Sequence, residues 1–293
     1  ILVNGTILDP NSKVTGWYSG TTGSLNILYS GIYRYGPDGA RKKESTIALA
    51  QTNGANDDEI HLFPGTYDLG SGLSLTKRLH FVGEGDPRSI IITGSGNFTL
   101  EPTIAACTFR NLTILNTAGG GTDRTIIQSN VNDCVYENVI FTKTGAADDS
   151  ACILQYGGTN TQILNCELTT SGATKNYAIW NNTATASIEV RGGKLNGSTW
   201  DIYGDQTGST LTLNNVILAN GLVSFAGTLN WMPEAKIQDN LLYDSLSTIW
   251  TWQEGATFND KADDSYIGLW NCLNNGQAPD ITRTAGGSTD PMD

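Results

Sequence analysis

The chain has 293 residues, 39% of them hydrophobic and only 16% charged, with a formal net charge of −12 at pH 7. That length suits one large domain with appendages, and the acidic balance argues against a partner bound through phosphates, whether nucleic acid or anionic membrane. No apolar run approaches the ~20 residues of a membrane span, and 34 glycines among abundant Asn, Thr and Ser imply many tight corners.

Taken in chain order, the sequence opens on Ile1 rather than Met, as a processed or trimmed chain would. Residues 1–44 are rich in Gly, Tyr and Ser, contain strand-like runs such as Leu25–Tyr29, and end in Arg41-Lys42-Lys43. They read as a small β-rich lead-in or attachment segment whose basic triplet is a solvated turn. Glu44 to Gln51 has helical character, and a short helix there would cover the end of whatever follows. Residues 59–100 contain Ile90-Ile91-Ile92, a buried strand by its run of β-branched residues.

From Phe109 the chain repeats itself. Phe109-Arg-Asn-Leu-Thr-Ile114 returns as Tyr136-Glu-Asn-Val-Ile-Phe141 and as Ile163-Leu-Asn-Cys-Glu-Leu168. Val190-Arg-Gly-Gly-Lys-Leu195 and Leu213-Asn-Asn-Val-Ile-Leu218 continue the series. Asn111, Asn138, Asn165 and Gly192 are spaced by 27 residues, and Asn215 follows after 23. Periods in the twenties indicate stacked supersecondary units. Apolar parity breaks at each marker, as it would at a sharp corner with one residue in the left-handed region. Asn tolerates that region and Gly meets no steric penalty there. Asn side chains at matching corners can also hydrogen-bond along the stack. A second strand follows in each repeat: Ile126-Ile127, Ile153-Leu154, Ile179-Trp180, Ile202-Tyr203. No room is left for a crossover helix. The predicted fold is therefore all-β, a right-handed parallel β-helix over residues 45–228 with non-repeating caps at both ends.

From Leu229 the repeat fades. Residues 229–293 hold Trp231, Trp250, Trp252 and Trp270 and read as a C-terminal cap or contact segment, with helical spacing between Ala235 and Trp252. Of the five cysteines, Cys107 and Cys134 are also 27 apart and should lie one above the other. Buried free thiols are the favoured reading, and a disulfide is the alternative.

Ile60-His-Leu-Phe-Pro-Gly-Thr-Tyr67, followed by Leu73-Ser-Leu75 and Leu79-His-Phe-Val-Gly83, resembles the opening coils of the pectate-lyase-like β-helix superfamily. That superfamily includes polysaccharide lyases, polygalacturonases, pectin esterases and bacteriophage tailspikes, and the resemblance spans about residues 45–230. It specifies a fold rather than an activity, because one fold hosts many chemistries. For a lyase, the resemblance implies clustered carboxylates holding calcium, with a basic group beside the uronate. The acids on offer are Asp148-Asp149, Asp201 and Asp205, and the bases are Arg191 and Lys194. Asp148-Asp149 followed by Cys152 is faintly similar to the paired aspartates of polygalacturonases. That family's Asn-Thr-Asp, Gly-His-Gly and Arg-Ile-Lys stretches are absent, since Asn116-Thr117 leads into Ala118 and no His follows His80. With only His61 and His80, zinc is not indicated. No metal or cofactor is expected, and calcium would enter only with lyase activity.

An aromatic column is the stronger feature. If Ile126, Ile153, Ile179 and Ile202 point inward, then Ile127, Leu154, Trp180 and Tyr203 point outward on successive coils. Tyr156 joins them, and Asp201 and Asp205 flank Tyr203. Such a stripe marks a glycan-binding or subunit interface. The opposite parity, which would make the same residues core, stays open. The sequence thus leads to an extracellular or virion-surface β-helix of tailspike or fibre type, leaning away from an enzyme. Its expected partners are identical subunits, as a homotrimer or other homo-oligomer, and a surface polysaccharide. Two other readings are a secreted polysaccharide lyase or glycoside hydrolase, and a self-assembling cell-surface or filament subunit.

Overall fold

A computed structural model describes residues 30–119, 125–145, 149–171, 175–204, 206, 208–219 and 225 with their side chains. It also gives the backbone of short strands at 2–3, 6–7, 223–224, 228–231, 236–237, 250–252 and 257–260. The chain winds as a parallel β-solenoid with three faces. Asp58–Leu62, Gly65–Asp68 and Leu73–Leu75 supply one strand to each face and complete the first coil. Leu79–Gly83, Ile90–Gly94 and Leu100–Pro102 complete the second. In the next two coils, Thr108–Asn116 and Val135–Lys143 run unbroken through a corner and serve the first and second faces together. The third face is a sheet of eight strands running from Leu73–Leu75 to Trp250–Trp252. Its central members are Thr125–Ser129, Ser150–Gln155, Asn176–Asn181 and Trp200–Gly204.

The corners explain why this sequence coils. Asn111, Asn138, Asn165, Gly192 and Asn215 all adopt positive φ, between 52° and 67°. They stack where the first face meets the second. Asn138 Nδ2 donates to Asn111 Oδ1 at 2.7 Å, and Asn111 Nδ2 donates to the Gly83 and Gly85 carbonyls at 2.8 Å each. A second stack turns the third face into the first at Ala106, Asp133 and Asn160, with φ near 60° and Asn160 Nδ2 donating to Asp133 Oδ1 at 2.8 Å. A third, at Asp149 and Lys175, turns the second face into the third.

Inside, like stacks on like. Phe81, Phe109 and Tyr136 lie ring over ring, with centroids 5.1 and 5.3 Å apart and planes within 4° and 11°. Ile163, Val190 and Leu213 extend that column in register. Ile114, Phe141, Leu168, Leu195 and Leu218 line the second face and are fully buried. Each buried aliphatic contributes roughly 1.5–3 kcal/mol. A polar column, Asn116, Lys143 and Thr170, closes the second face, and Lys143 Nζ donates to the carbonyls of Ala118 at 2.9 Å and Thr144 at 2.7 Å. Cys107, Cys134, Cys152 and Cys166 are buried free thiols, and Cys272 lies outside the described residues. Burial raises all four, with Cys134 and Cys166 pushed up to about 12, so they persist as protonated hydrophobes.

The N-terminal end is closed in two ways. Ile32–Tyr35 pairs antiparallel with Asp58–Leu62 on one side and with the charged edge strand Arg41–Glu44 on the other. The helix Ile47–Asn53 buries Ile47 and Ala50 against the first coil. Arg41-Lys42-Lys43, expected as a turn, is therefore part of a strand. Parallel pairing also continues beyond Leu229, through Thr228–Trp231 to Thr257–Asp260. Lys236–Ile237 and Trp250–Trp252 are strands, while the rest of the segment with helical spacing, and Trp270, lie outside the described residues. Among the described residues no helix is long and apolar enough to cross a membrane.

Candidate functional site

The outer surface of the third face carries the aromatic residues, and the backbone puts them there through a break in strand parity. Ile127, Ile153, Ile179 and Ile202 share one register column and are fully buried. The residues just before the first three, Ile126, Cys152 and Ala178, are fully buried in the same core. Two consecutive residues per coil thus turn inward, and the next one turns out. The outward column is Gln128, Leu154, Trp180 and Tyr203. Ile127, expected outward, belongs to the core, and Gln128 holds its place. Gln155 and Asn181 turn inward and are buried. Gln155 Nε2 donates to the Gly157 carbonyl, and Asn181 Nδ2 to that of Thr183 at 3.2 Å.

Trp180 and Tyr203 therefore sit outside the solenoid core. With Ala151, Leu154, Tyr177 and Trp200 they form a separate apolar cluster. Tyr177 stacks on Tyr203, centroids 4.9 Å apart and planes 20° from parallel, and lies tilted 5.4 Å from Trp180. Ala151, Tyr177 and Trp200 form a second register column beside the first. Trp180 and Tyr203 are half-buried, and Tyr156, just past the strand Ser150–Gln155, is 38% exposed. The Trp180 indole Nε1 is buried without a hydrogen-bond partner, a defect that native interiors rarely keep. The sequence named Tyr156, Trp180 and Tyr203. It missed Tyr177 and Trp200, which lie three residues before Trp180 and Tyr203 on the same strands and share their face only because of the break in parity.

No family model matches the chain, and no curated protein or solved structure matches it. Geometry alone carries the reading that follows.

Among the described residues, the acids and bases named from sequence are not brought together. Asp201 is fully buried, and its Oδ1 accepts the Gly197 amide at 2.9 Å, which fastens a turn. Arg191 is exposed at the end of a first-face strand and pairs with Glu189 at 2.5 Å. Lys194 lies past the Gly192-Gly193 corner on the second face. Asp149 is a corner residue 3.6 Å from Lys175 Nζ, and Asp148 and Asp205 lie outside the described residues.

The first face holds a polar group that sequence reasoning passed over. His61 Nδ1 is 2.5 Å from Glu84 Oε1, its Nε2 is 2.9 Å from Glu59 Oε2, and its ring packs on Tyr35 at 4.5 Å. His80, in register with Glu59, is 3.0 Å from Thr108 Oγ1 through Nδ1 and 3.6 Å from Asp57 Oδ1 through Nε2. Asp57 is held by Arg78, whose hydrogen bonds pull its carboxyl below the usual range. Alternation within Glu59-x-His61 was the available signal. The two glutamates take opposite edges of the imidazole rather than converging on one open position. Among the described residues no group of three or more His, Cys, Asp or Glu is placed to hold a metal ion.

Proposed function

We propose that this chain is a structural and adhesion β-helix, similar in kind to the tailspike and fibre members of the pectate-lyase-like superfamily. In this reading it works at a cell or virion surface, as a homotrimer or other homo-oligomer, and binds a surface polysaccharide. The observation that carries the proposal is the outward set Tyr177, Trp180, Trp200 and Tyr203 on the third face. A solenoid of this length buries a full core without them; Tyr177 is itself buried within the cluster, and the half-buried Trp180, Trp200 and Tyr203 keep aromatic surface for contact. The commitment of Asp201 to a turn favours binding over catalysis at this face.

The test is Trp180→Ala in the full chain. The expected outcome is weaker retention on surface polysaccharide with an unchanged oligomer mass in light scattering. A drop in mass with unchanged glycan retention would make the patch a subunit interface instead. The second reading, a secreted polysaccharide lyase or glycoside hydrolase, draws on the His61, Glu59 and Glu84 group. Release of unsaturated uronate from a polyuronate, lost in His61→Ala, would favour it; calcium would then be the cofactor to supply.

A further inference from the structure

The charge pattern of the third face says what kind of glycan it would take, an inference that rests on the adhesion reading above. The chain has 17 Lys and Arg, yet none lies in the eight strands of this sheet, and neither does either His. Among the described residues, the basic groups at its strand ends are already engaged. Lys77 Nζ donates to the carbonyls of Gln51, Thr52 and Gly54 at 2.6–2.9 Å, and Lys175 pairs with Asp149. The acids in these strands are Asp201, buried in its turn, and Glu101, which accepts from Ser74 Oγ at 2.5 Å. Among the described residues, a uronate or sulfated polymer would thus meet no unpaired cation on the sheet, one carboxylate, and a molecule of net charge −12.

In the outward column Leu154 is fully buried, and the half-buried members on either side of it offer hydroxyl partners and ring faces instead. Ser74 is in register with Glu101, Gln128 with Leu154, Leu154 with Trp180, and Trp180 with Tyr203. The pairing of Leu100 with Ile127 sets Glu101 beside Gln128 and joins the two halves. Successive members stand about 4.8 Å apart. The N-terminal half presents a carboxylate and an amide, which accept and donate to hydroxyls. The C-terminal half presents aromatic rings against which the C–H face of a pyranose can pack.

We propose that the third face binds an uncharged polysaccharide along the solenoid axis. Its hydroxyls meet Glu101 and Gln128, and its sugar rings pack on Trp180 and Tyr203. This departs from the polyuronate that the superfamily resemblance would suggest.

The experiment is affinity electrophoresis of the full chain in native gels. The gels contain a neutral polymer (dextran, glucomannan or galactomannan) or an anionic one (polygalacturonate or dextran sulfate). Retardation by at least one neutral polymer and by neither anionic one is expected. Trp180→Ala should weaken that retardation about tenfold or more, as for a central aromatic anchor. Gln128→Ala, a half-buried surface change with little risk to folding, should weaken it severalfold. Circular dichroism confirms that both variants are folded. Retardation by the anionic polymers alone would overturn the neutral-glycan assignment and leave the adhesion reading standing. Retardation by none of the polymers would remove both. Neutral retardation unchanged in both variants would place the glycan elsewhere on the molecule.

Discussion

At Gly193 the solenoid leaves no room for a side chain. A Cβ there would sit 2.1 Å from the Cys166 carbonyl oxygen, and the residue has φ +83°. Backbone is in the way, so nothing flexible can yield. Gly193→Ala is expected to cost about 3 kcal/mol or more, seen as a lower denaturant midpoint. Asn138→Gly should cost only about 1 kcal/mol. It keeps the left-handed corner and loses one solvent-exposed hydrogen bond, that to Asn111. If Asn138→Gly proves the more damaging change, the amide stack rather than the backbone turn holds the corner. These corners were legible because four of the five carry Asn at regular spacing. The Ala106, Asp133 and Asn160 stack repeats equally regularly but was not. Three different residue types fill its left-handed position, so the composition hides what the backbone does.

At the scale of elements, the N-terminal helix shows how far local signals reach. The sequence placed helical character at Glu44 to Gln51, and the helix is Ile47–Asn53. Glu44 is claimed by the edge strand, in register with Ile32, and Thr46 caps the helix by accepting from the Leu49 amide at 3.1 Å. The other end is finished from 23 to 26 residues away, where Lys77 Nζ binds three carbonyls of the last turn and beyond. A cation there offsets the carbonyl end of the helix dipole, and no local sequence rule could have found it. Lys77→Met keeps the aliphatic stem but leaves those carbonyls without the ammonium. It should lower stability by about 1–2 kcal/mol in chemical denaturation. No change would mean that water replaces the amine at no cost. The third-face strands show a different limit. Strict alternation assigns Ile127 outward, but two consecutive residues per coil enter the core, and only the register reveals it.

Over the whole molecule, each coil touches only its neighbours, so the solenoid should respond to damage in one dimension. The place to test this is Arg34, which is 8% exposed and ties the capping hairpin to the first coil. Its Nη1 donates to Asp58 Oδ2 at 2.8 Å and its Nε to Glu44 Oε1 at 3.2 Å. Asp58 also accepts the Ala55 amide at 2.9 Å, and Glu44 accepts Asn53 Nδ2 at 3.0 Å. Hairpin, helix end and first coil thus meet at one guanidinium. Arg34→Met fills similar volume but leaves two carboxylates buried beside each other without a cation, a loss of about 3 kcal/mol or more. Because the nearest coils bear that loss, native-state hydrogen exchange should speed up at Ile32–Tyr35 and Asp58–Leu62. It should speed up less at Leu79–Gly83 and hardly at Ser187–Arg191, several coils along. Equal acceleration at all four strands would mean that the coils open together, as one cooperative unit closed by its N-terminal cap.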